Sequence, residues 1–263
     1  MELGLKGKVV IVGGASKGIG KATALGFARE GAKVVISARD PAQLQAAVEE
    51  IRKETSAEVL GVPGDLSKVE ATDQFIDETI KKFGTIHVVV ANTGGPPLGG
   101  FGNMSDADWE SAFSLNFLST VRLFRKAIPY MQKQKWGRLL SVMSMSVKEP
   151  IDGLILSNGV RPAVVGMAKT LSREVGKDNI TVNTILPGRI LTDRLRSGIS
   201  VRAQRSGKSL EQAIEDSGAD VPLGRVGDPK EMANVIVFIG SEAGSYVNGA
   251  AIQVDGGLLR GLL

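Results

Sequence analysis

The chain has 263 residues, 43% hydrophobic and 23% charged, with a formal net charge of +4. This balance suits one globular domain over residues 1–263 with a single large core, and no stretch approaches the ~20 apolar residues that a membrane span needs. The absence of cysteine and the presence of one histidine, His87, exclude disulfides, thiol nucleophiles and most metal chemistry, and no metal site is expected.

The opening MELGLKGK leaves no room for a signal-peptide apolar region before the first strand, so a cytoplasmic location is expected. Val9–Val12 is an apolar run that reads as a strand buried on both faces. Glycines follow at 13, 14, 18 and 20, and then a helix carrying Ala22, Leu25 and Ala28 stops at Gly31. Strand, glycine turn and helix let backbone approach a pyrophosphate, because glycine has no Cβ and the helix N-terminus offers unpaired N–H groups. Lys33–Ala38 is the second strand. Asp40-Pro41 starts the next helix, Asp as N-cap and Pro at the first helical position, with Leu44, Val48 and Ile51 on its buried face. Residues 58–63 form the third strand. A helix with Phe75, Ile76, Ile80 and Phe83 ends at Gly84, and residues 86–91 are the fourth strand.

The loop TGGPPLGGFGN comes next, with five glycines and two prolines, where open α/β sheets bind ligands. Ser105 and Asp108 read as the capping box of one long helix reaching about Gln134. Residues 138–143 are the fifth strand, 158–176 a helix, and 180–186 the sixth strand, stopped by Pro187-Gly188. Residues 189–208 then carry six cations against one acid, Asp193, a local charge of +5. Asp228-Pro229 starts another helix, and residues 250–254 form a last strand before Asp255-Gly256-Gly257. The alternation implies an α/β fold with a mostly parallel sheet, helices on both faces and right-handed crossovers.

The turn spacing, Gly14-x3-Gly18-x-Gly20, resembles the TGxxxGxG motif of the short-chain dehydrogenase/reductase family, with Gly13 where that family usually has Thr. The likeness runs from Lys8 to Gly257. Asp65-Leu66 resembles the family's adenine-contacting segment, and Asn92 and Gly94 match its Asn-Asn-Ala-Gly while Ala91 and Thr93 depart. Asn116 resembles its helix Asn. Pro187-Gly188, Ile190 and Thr192 fall in its PGxxxT cofactor segment, and residues 221–257 are very similar to β-ketoacyl-carrier-protein reductases. The resemblance implies a Rossmann-type doubly wound sheet of seven strands, order 3-2-1-4-5-6-7. It implies a substrate lid over about 189–220, and a dinucleotide held by Gly14, Ser16, Lys17, Gly18, Ile19, Gly20, Arg39, Asp65, Leu66, Asn92, Gly94 and the PGxxxT residues. Lys17 and Arg39 resemble the paired basic residues of NADP-preferring members, since a ribose phosphate wants cations. NADP(H) is therefore the preferred cofactor and NAD(H) the alternative, with Asp40 at the second strand's end as the complication.

The pattern breaks at the chemistry. The family's active site is Asn, Ser, Tyr and Lys, the last two as YxxxK. Asn116 and Ser144 match, but positions 157 and 161 hold Ser157 and Arg161, and AVVGMAKTLSREV follows in the usual register. A phenol near pKa 10 delivers a proton far better than a serine hydroxyl, and losing a general acid costs ~10²–10⁴-fold in rate. Arg161 keeps the positive charge for the nicotinamide ribose but, with a pKa above about 12, not the proton-donor role. Lys148 is a candidate substitute acid. The alternative is that Ser157 and Arg161 are helix-start residues of a silent site, that Ser144 and Ser146 satisfy local backbone, and that Asn116 and His87 are structural.

The leading reading is an NADP(H)-dependent oxidoreductase on a small carbonyl/alcohol pair. A cationic lid suits an anionic acyl thioester; a solvated lid is the simpler account. The second reading is a catalytically silent dinucleotide-binding sensor or scaffold. Nucleic-acid binding is disfavoured, because the basic segment lacks interleaved aromatics. The apolar tail of Leu258, Leu259, Leu262 and Leu263 suggests burial against another subunit, with a homotetramer as the expected assembly.

Overall fold

The apolar run Val9–Val12 (β1) lies at the middle of a parallel sheet, with Val10 opposite Val34 on one side and Val88 on the other. The computed structural model describes residues 1–262, and of Arg202 and Arg205 the backbone alone. In chain order the elements are β1, α1 (Gly18–Arg29), β2 (Lys33–Ala38), α2 (Pro41–Thr55), β3 (Val59–Pro63), α3 (Val69–Phe83), β4 (Val88–Ala91), α4 (Asp106–Phe113), α5 (Ser119–Gln134), β5 (Gly137–Val142), α6 (Ile155–Val175), β6 (Ile180–Pro187), α7 (Asp193–Ser206), α8 (Leu210–Gly218), α9 (Pro229–Ile239) and β7 (Ala251–Val254). The strands pair in the order 3-2-1-4-5-6-7, all parallel, as the resemblance implies.

The two-residue period of each strand splits the core into two layers. Val10 and Val12 face α1, α2 and α9; Ile11 faces α3, α5 and α6. Asp40 caps α2 as expected, its carboxylate accepting from the N–H groups of Ala42 and Gln43 at 2.9 and 3.1 Å. The capping box Ser105/Asp108 opens α4.

Strand limits move by one or two residues from the sequence reading, and two helices differ more. The single helix expected over 105–134 is interrupted by a π-turn at Ser114–Leu118. There the hydroxyls of Ser119 and Thr120 donate to the carbonyls of Leu115 and Asn116 at 2.5 and 2.9 Å, competing with the regular ladder. The hydrophobic period runs through this region without a break, so the sequence pattern carries no sign of it. The helix expected from 158 begins at Ile155, because Asn158 does not cap it. Its side chain instead accepts from the Ile151 N–H (3.3 Å) and donates to the Ile151 carbonyl (2.9 Å), fastening the first turn to the loop before it.

His87 is structural, the simpler of its two readings. Its Nδ1 accepts from the Val9 N–H at 2.9 Å, and the ring meets Trp136 edge-on. Lys8 and Arg138 each lie over the Trp136 ring, 4.2 Å from its centre, and the indole N–H donates to Glu242 at 2.6 Å. Burial and the neighbouring Lys8 ammonium push the His87 pKa from 6.5 to about 4. The unfolded chain therefore takes up a proton as the pH falls through 6.5, and the folded chain does so only near 4. Stability is expected to fall between pH 6.5 and 4 by up to about 3 kcal/mol, at ~1.4 kcal/mol per pH unit, with no further loss from this group below that window. Urea midpoints at pH 7, 5.5 and 4.5 measure this slope, and His87→Gln should flatten it; an unchanged slope in that variant removes His87 as its source.

Candidate active site

The glycine turn sits at the carboxyl ends of β1 and β4, where the strand order reverses and open sheets leave a crevice. Gly13 N–H donates to Val90 O and Ala15 N–H to Ser37 O, both at 3.0 Å, which pins the turn across three strands. Gly14 and Gly18 take positive φ, 56° and 58°. Asn92 holds the turn from beneath, its Nδ2 donating to the carbonyls of Gly13 (3.0 Å) and Gly14 (3.2 Å). A Cβ on Gly13 would stand 2.7 Å from the Asn92 carbonyl and 2.8 Å from Leu66 Cδ1, so Thr does not fit there in this chain. A Cβ on Gly20 would drive into the Gly14 carbonyl and to 2.8 Å from Asn92 Nδ2. The N-cap of α1, Lys17, makes no side-chain cap bond, so the turn leaves the first N–H groups of a 12-residue helix to be satisfied from outside. This cradle fits the diphosphate of a dinucleotide.

The remaining cofactor candidates ring the same crevice. Ser16 and Ile19 are half-buried in the turn, while Lys17 and Arg39 are exposed. Asp65 accepts from the Ser67 N–H at 3.0 Å and sets Leu66, 5% exposed, against Gly13. Gly94 lends its carbonyl to Asn116. Gly188 N–H donates to the Val254 carbonyl at 3.0 Å, and a Cβ there would stand 2.6 Å from Asp255 Cα, so β6 and β7 leave position 188 no room for a side chain. Ile190 is buried against Gly227, and Thr192 caps α7 while its methyl lies 3.2 Å from where a Gly18 Cβ would be. The start of the segment over 189–220 therefore packs onto the glycine turn.

The four residues that the resemblance marks as candidates for the chemistry, Asn116, Ser144, Ser157 and Arg161, follow. Asn116, fully buried in the π-turn, donates to Thr93 Oγ1 (2.9 Å) and Gly94 O (3.1 Å), and its Oδ1 is buried without a partner. Ser144 Oγ accepts from the Ser146 N–H at 3.1 Å. The hydroxyl that meets Ser157 is Ser146, not Ser144: the two oxygens lie 3.2 Å apart, both side chains buried. The sequence gives Ser146 only a backbone role, because the family's motif has its serine two positions earlier. Arg161 is 6% exposed, and its Nη1 donates to the carbonyls of Met143 (2.5 Å) and Val142 (3.4 Å), tying α6 to the end of β5. Burial, with Arg194 adding repulsion, pushes its pKa down to about 10, below the value above 12 expected from sequence. Lys148 is exposed just past a short turn at Met145–Val147, and no contact among the described residues brings its ammonium to Ser144 or Ser157.

Two walls flank these residues. The glycine-rich loop is bound to the segment before α6, Gly99 N–H to Gly153 O at 2.7 Å. The other wall is the segment over 189–220, and its charge is not what residues 189–208 suggest. Over 189–220 the chain has six cations and five acids, a net of +1. Arg189 forms a fork with Asp220, and Lys208 pairs with Asp216 at 2.6 Å. The side chains of Arg202 and Arg205 are outside the described set. The guanidinium of Arg194 lies on Gly95 and donates to the Pro96 carbonyl at 2.9 Å.

Comparison with known proteins agrees with this geometry. The family model for enoyl-(acyl carrier protein) reductase matches residues 14–259. An uncharacterized oxidoreductase, YvrD, of Bacillus subtilis is 32% identical over the full length of both chains. The 3-oxoacyl-[acyl-carrier-protein] reductase FabG of Thermotoga maritima is 33% identical, covering 97% of this chain and 99% of its own. The crystal structure of L-sorbose reductase from Gluconobacter frateurii, complexed with NADPH and L-sorbose, superposes with a TM-score of 0.97 at 32% identity over the whole of both chains. With a glycine cradle at the β1/β4 crevice, a seven-stranded parallel sheet and full-length relatives of this kind, the chain belongs to the short-chain dehydrogenase/reductase family of oxidoreductases.

Proposed function

We propose that this chain is an NADP(H)-dependent oxidoreductase of a small carbonyl/alcohol pair, working without the phenolic acid of its family. The observation that carries it is the cradle around Gly13, Gly14 and Gly20 with Lys17 and Arg39 left exposed beside it. The Asp40 carboxylate is already engaged in capping α2, which leaves the end of β2 to the Arg39 cation. That favours a ribose phosphate over bare ribose hydroxyls. When bound, the reduced nicotinamide supplies the hydride. The chain's own residues do the rest: Asn92 fixes the turn, Asn116 fixes the loop at Thr93 and Gly94, and the Ser146–Ser157 hydroxyl pair passes a proton towards the substrate oxygen. Neither hydroxyl has the acidity of a phenol, so turnover is slow by family standards.

The balanced lid removes the main argument for an acyl thioester drawn in by a cationic surface. A silent dinucleotide binder is the second reading, favoured by Ser144 and Arg161 being occupied by backbone contacts. No helix among the described residues is long and apolar enough to cross a membrane. Assembly as a homotetramer belongs to the same proposal: Phe101 and Leu98 are exposed in the loop, and Leu262 in the tail; Leu263 lies outside the described residues.

Fluorescence titration with NADPH and with NADH tests the cofactor reading. NADPH is expected to bind in the micromolar range and NADH at least ~10-fold more weakly, a difference of about 1.4 kcal/mol. Lys17→Ala with Arg39→Ala should erase that difference. Equal affinities in the parent chain would refute the preference, and no binding of either would refute the function. A carbonyl panel at saturating NADPH then separates the two readings: no turnover on any member leaves the silent binder.

A further inference from the structure

The π-turn at Ser114–Leu118 is hydrogen-bonded to two loops that the sheet keeps apart. From its middle, Asn116 holds Thr93 and Gly94 in the loop after β4. From its start, Ser114 Oγ donates at 2.8 Å to the Ser67 carbonyl, in the loop between β3 and α3. Arg122, in the first turn of α5, donates from Nη1 to the same carbonyl, also at 2.8 Å. No carboxylate pairs with Arg122 among the described residues. β3 and β4 are separated in the sheet by β2 and β1, so strand pairing does not join their loops directly. The π-turn explains how two side chains eight residues apart meet one oxygen. On a regular helix they would stand about 80° apart around the axis. The π-turn absorbs one residue, which leaves about seven regular steps and brings them within roughly 20°. Ser67 passes the hold on. Its N–H donates to the Asp65 carboxylate at 3.0 Å, the Lys68 N–H donates to the Asp65 carbonyl at 2.8 Å, and Leu66 between them is buried against Gly13.

We propose that Ser114 and Arg122 are positioning residues for the adenosine half of the dinucleotide. Through the Ser67 carbonyl they set Asp65 and Leu66 beside the glycine turn. The proposal deepens the dinucleotide-dependent reading and rests on it for the ligand. The sheet decides which half goes where. With the diphosphate at the turn after β1, the nicotinamide has to reach Ser146 and Ser157 beyond the end of β5. The adenosine therefore extends the other way, over the ends of β2 and β3, where Arg39 and Leu66 lie. One of the two bonds to the Ser67 carbonyl is charge-assisted, and such a bond holds roughly twice as strongly as a neutral one. That side of the crevice is thus fixed before the ligand arrives, and binding does not have to order it.

The test is a pair of titrations on the full chain and on a double variant, Ser114→Ala with Arg122→Met: calorimetry with adenosine 2′,5′-bisphosphate, and fluorescence with NADPH. The parent chain is expected to bind both. In the double variant both affinities should fall by the same factor, at least ~10-fold. At saturating NADPH the emission of the bound nicotinamide should equal the parent's, because the loop at Thr93 and Gly94 keeps its Asn116 contacts. A merely structural role would move that emission as well. Arg125→Met, three residues along α5 and exposed, should alter neither titration, and an equal loss there overturns the proposal. If urea denaturation shows that the double variant does not fold, Arg122→Met alone decides, with an expected loss of at least ~5-fold. Bisphosphate affinity within about threefold of the parent's, or an altered emission at saturation, overturns the proposal and leaves the proposed function standing. A parent chain that binds neither ligand overturns both. A parent chain that binds both ligands and reduces no carbonyl, with the bisphosphate affinity lost in the variant, supports the positioning role and leaves the silent binder.

Discussion

Gly20→Ala is expected to lower NADPH affinity by at least about 100-fold, equivalent to ~2.7 kcal/mol. The new methyl group has nowhere to go. It would overlap the Gly14 carbonyl, stand 2.8 Å from Asn92 Nδ2 and 2.9 Å from Ala15 Cα. Two of those neighbours are backbone and the third is the side chain that holds the turn, so none gives way without reshaping the cradle. Overpacking of this kind also costs about 1–3 kcal/mol of stability. Gly166→Ala is the control. Gly166 lies in α6 with open space around the position of a Cβ, and the change there should stabilise the helix by ~0.5–1 kcal/mol and leave binding alone. Urea denaturation and NADPH titration of both variants check this. A Gly20→Ala chain that binds within about threefold of the parent would show that the turn is not the diphosphate site.

The second large effect is a gain. Ser157→Tyr with Arg161→Lys places a Tyr/Lys pair at the α6 positions where the resemblance expects one, and kcat/KM for carbonyl reduction is expected to rise ~10²–10⁴-fold, the usual worth of a general acid. The register favours it: residue 157 already points at the hydroxyl of Ser146 and residue 161 lies one turn further along the same buried face. The Arg161 change carries a cost, since its contacts to the Met143 and Val142 carbonyls tie α6 to β5. Ser157→Tyr alone therefore separates chemistry from stability. An unchanged rate in both variants, with NADPH binding intact, would mean that proton delivery does not limit this chain. It would also favour the silent-binder reading.

The fold was legible because its signals are local. Val9–Val12 is apolar at every position, as only a doubly buried strand is; Asp40-Pro41 and Ser105-x2-Asp108 mark helix starts by chemistry that operates within three residues. Ser157 and Arg161, at the positions where the resemblance expects Tyr and Lys, both lie inside α6. The π-turn under Asn116 was not, because hydroxyl groups that bond back to the helix carbonyls leave the hydrophobic period unchanged.

The sequence by itself determined the alternation of strands and helices, the glycine turn and the caps, since each is written in neighbouring residues. Tertiary structure decided what those residues face. Ser146 meets Ser157 because β5 and α6 converge, and Asn92 clamps a turn 78 residues earlier because β1 and β4 are adjacent in the sheet. The acids at 216 and 220 pair with the cations at 208 and 189, a pairing that the charge count of the segment does not record. Arg194 reaches Gly95 and the Pro96 carbonyl, 98 residues earlier, because the segment after β6 packs beside the loop after β4. Contacts between residues distant in sequence arise only once the chain has closed on itself, so composition and period do not record them.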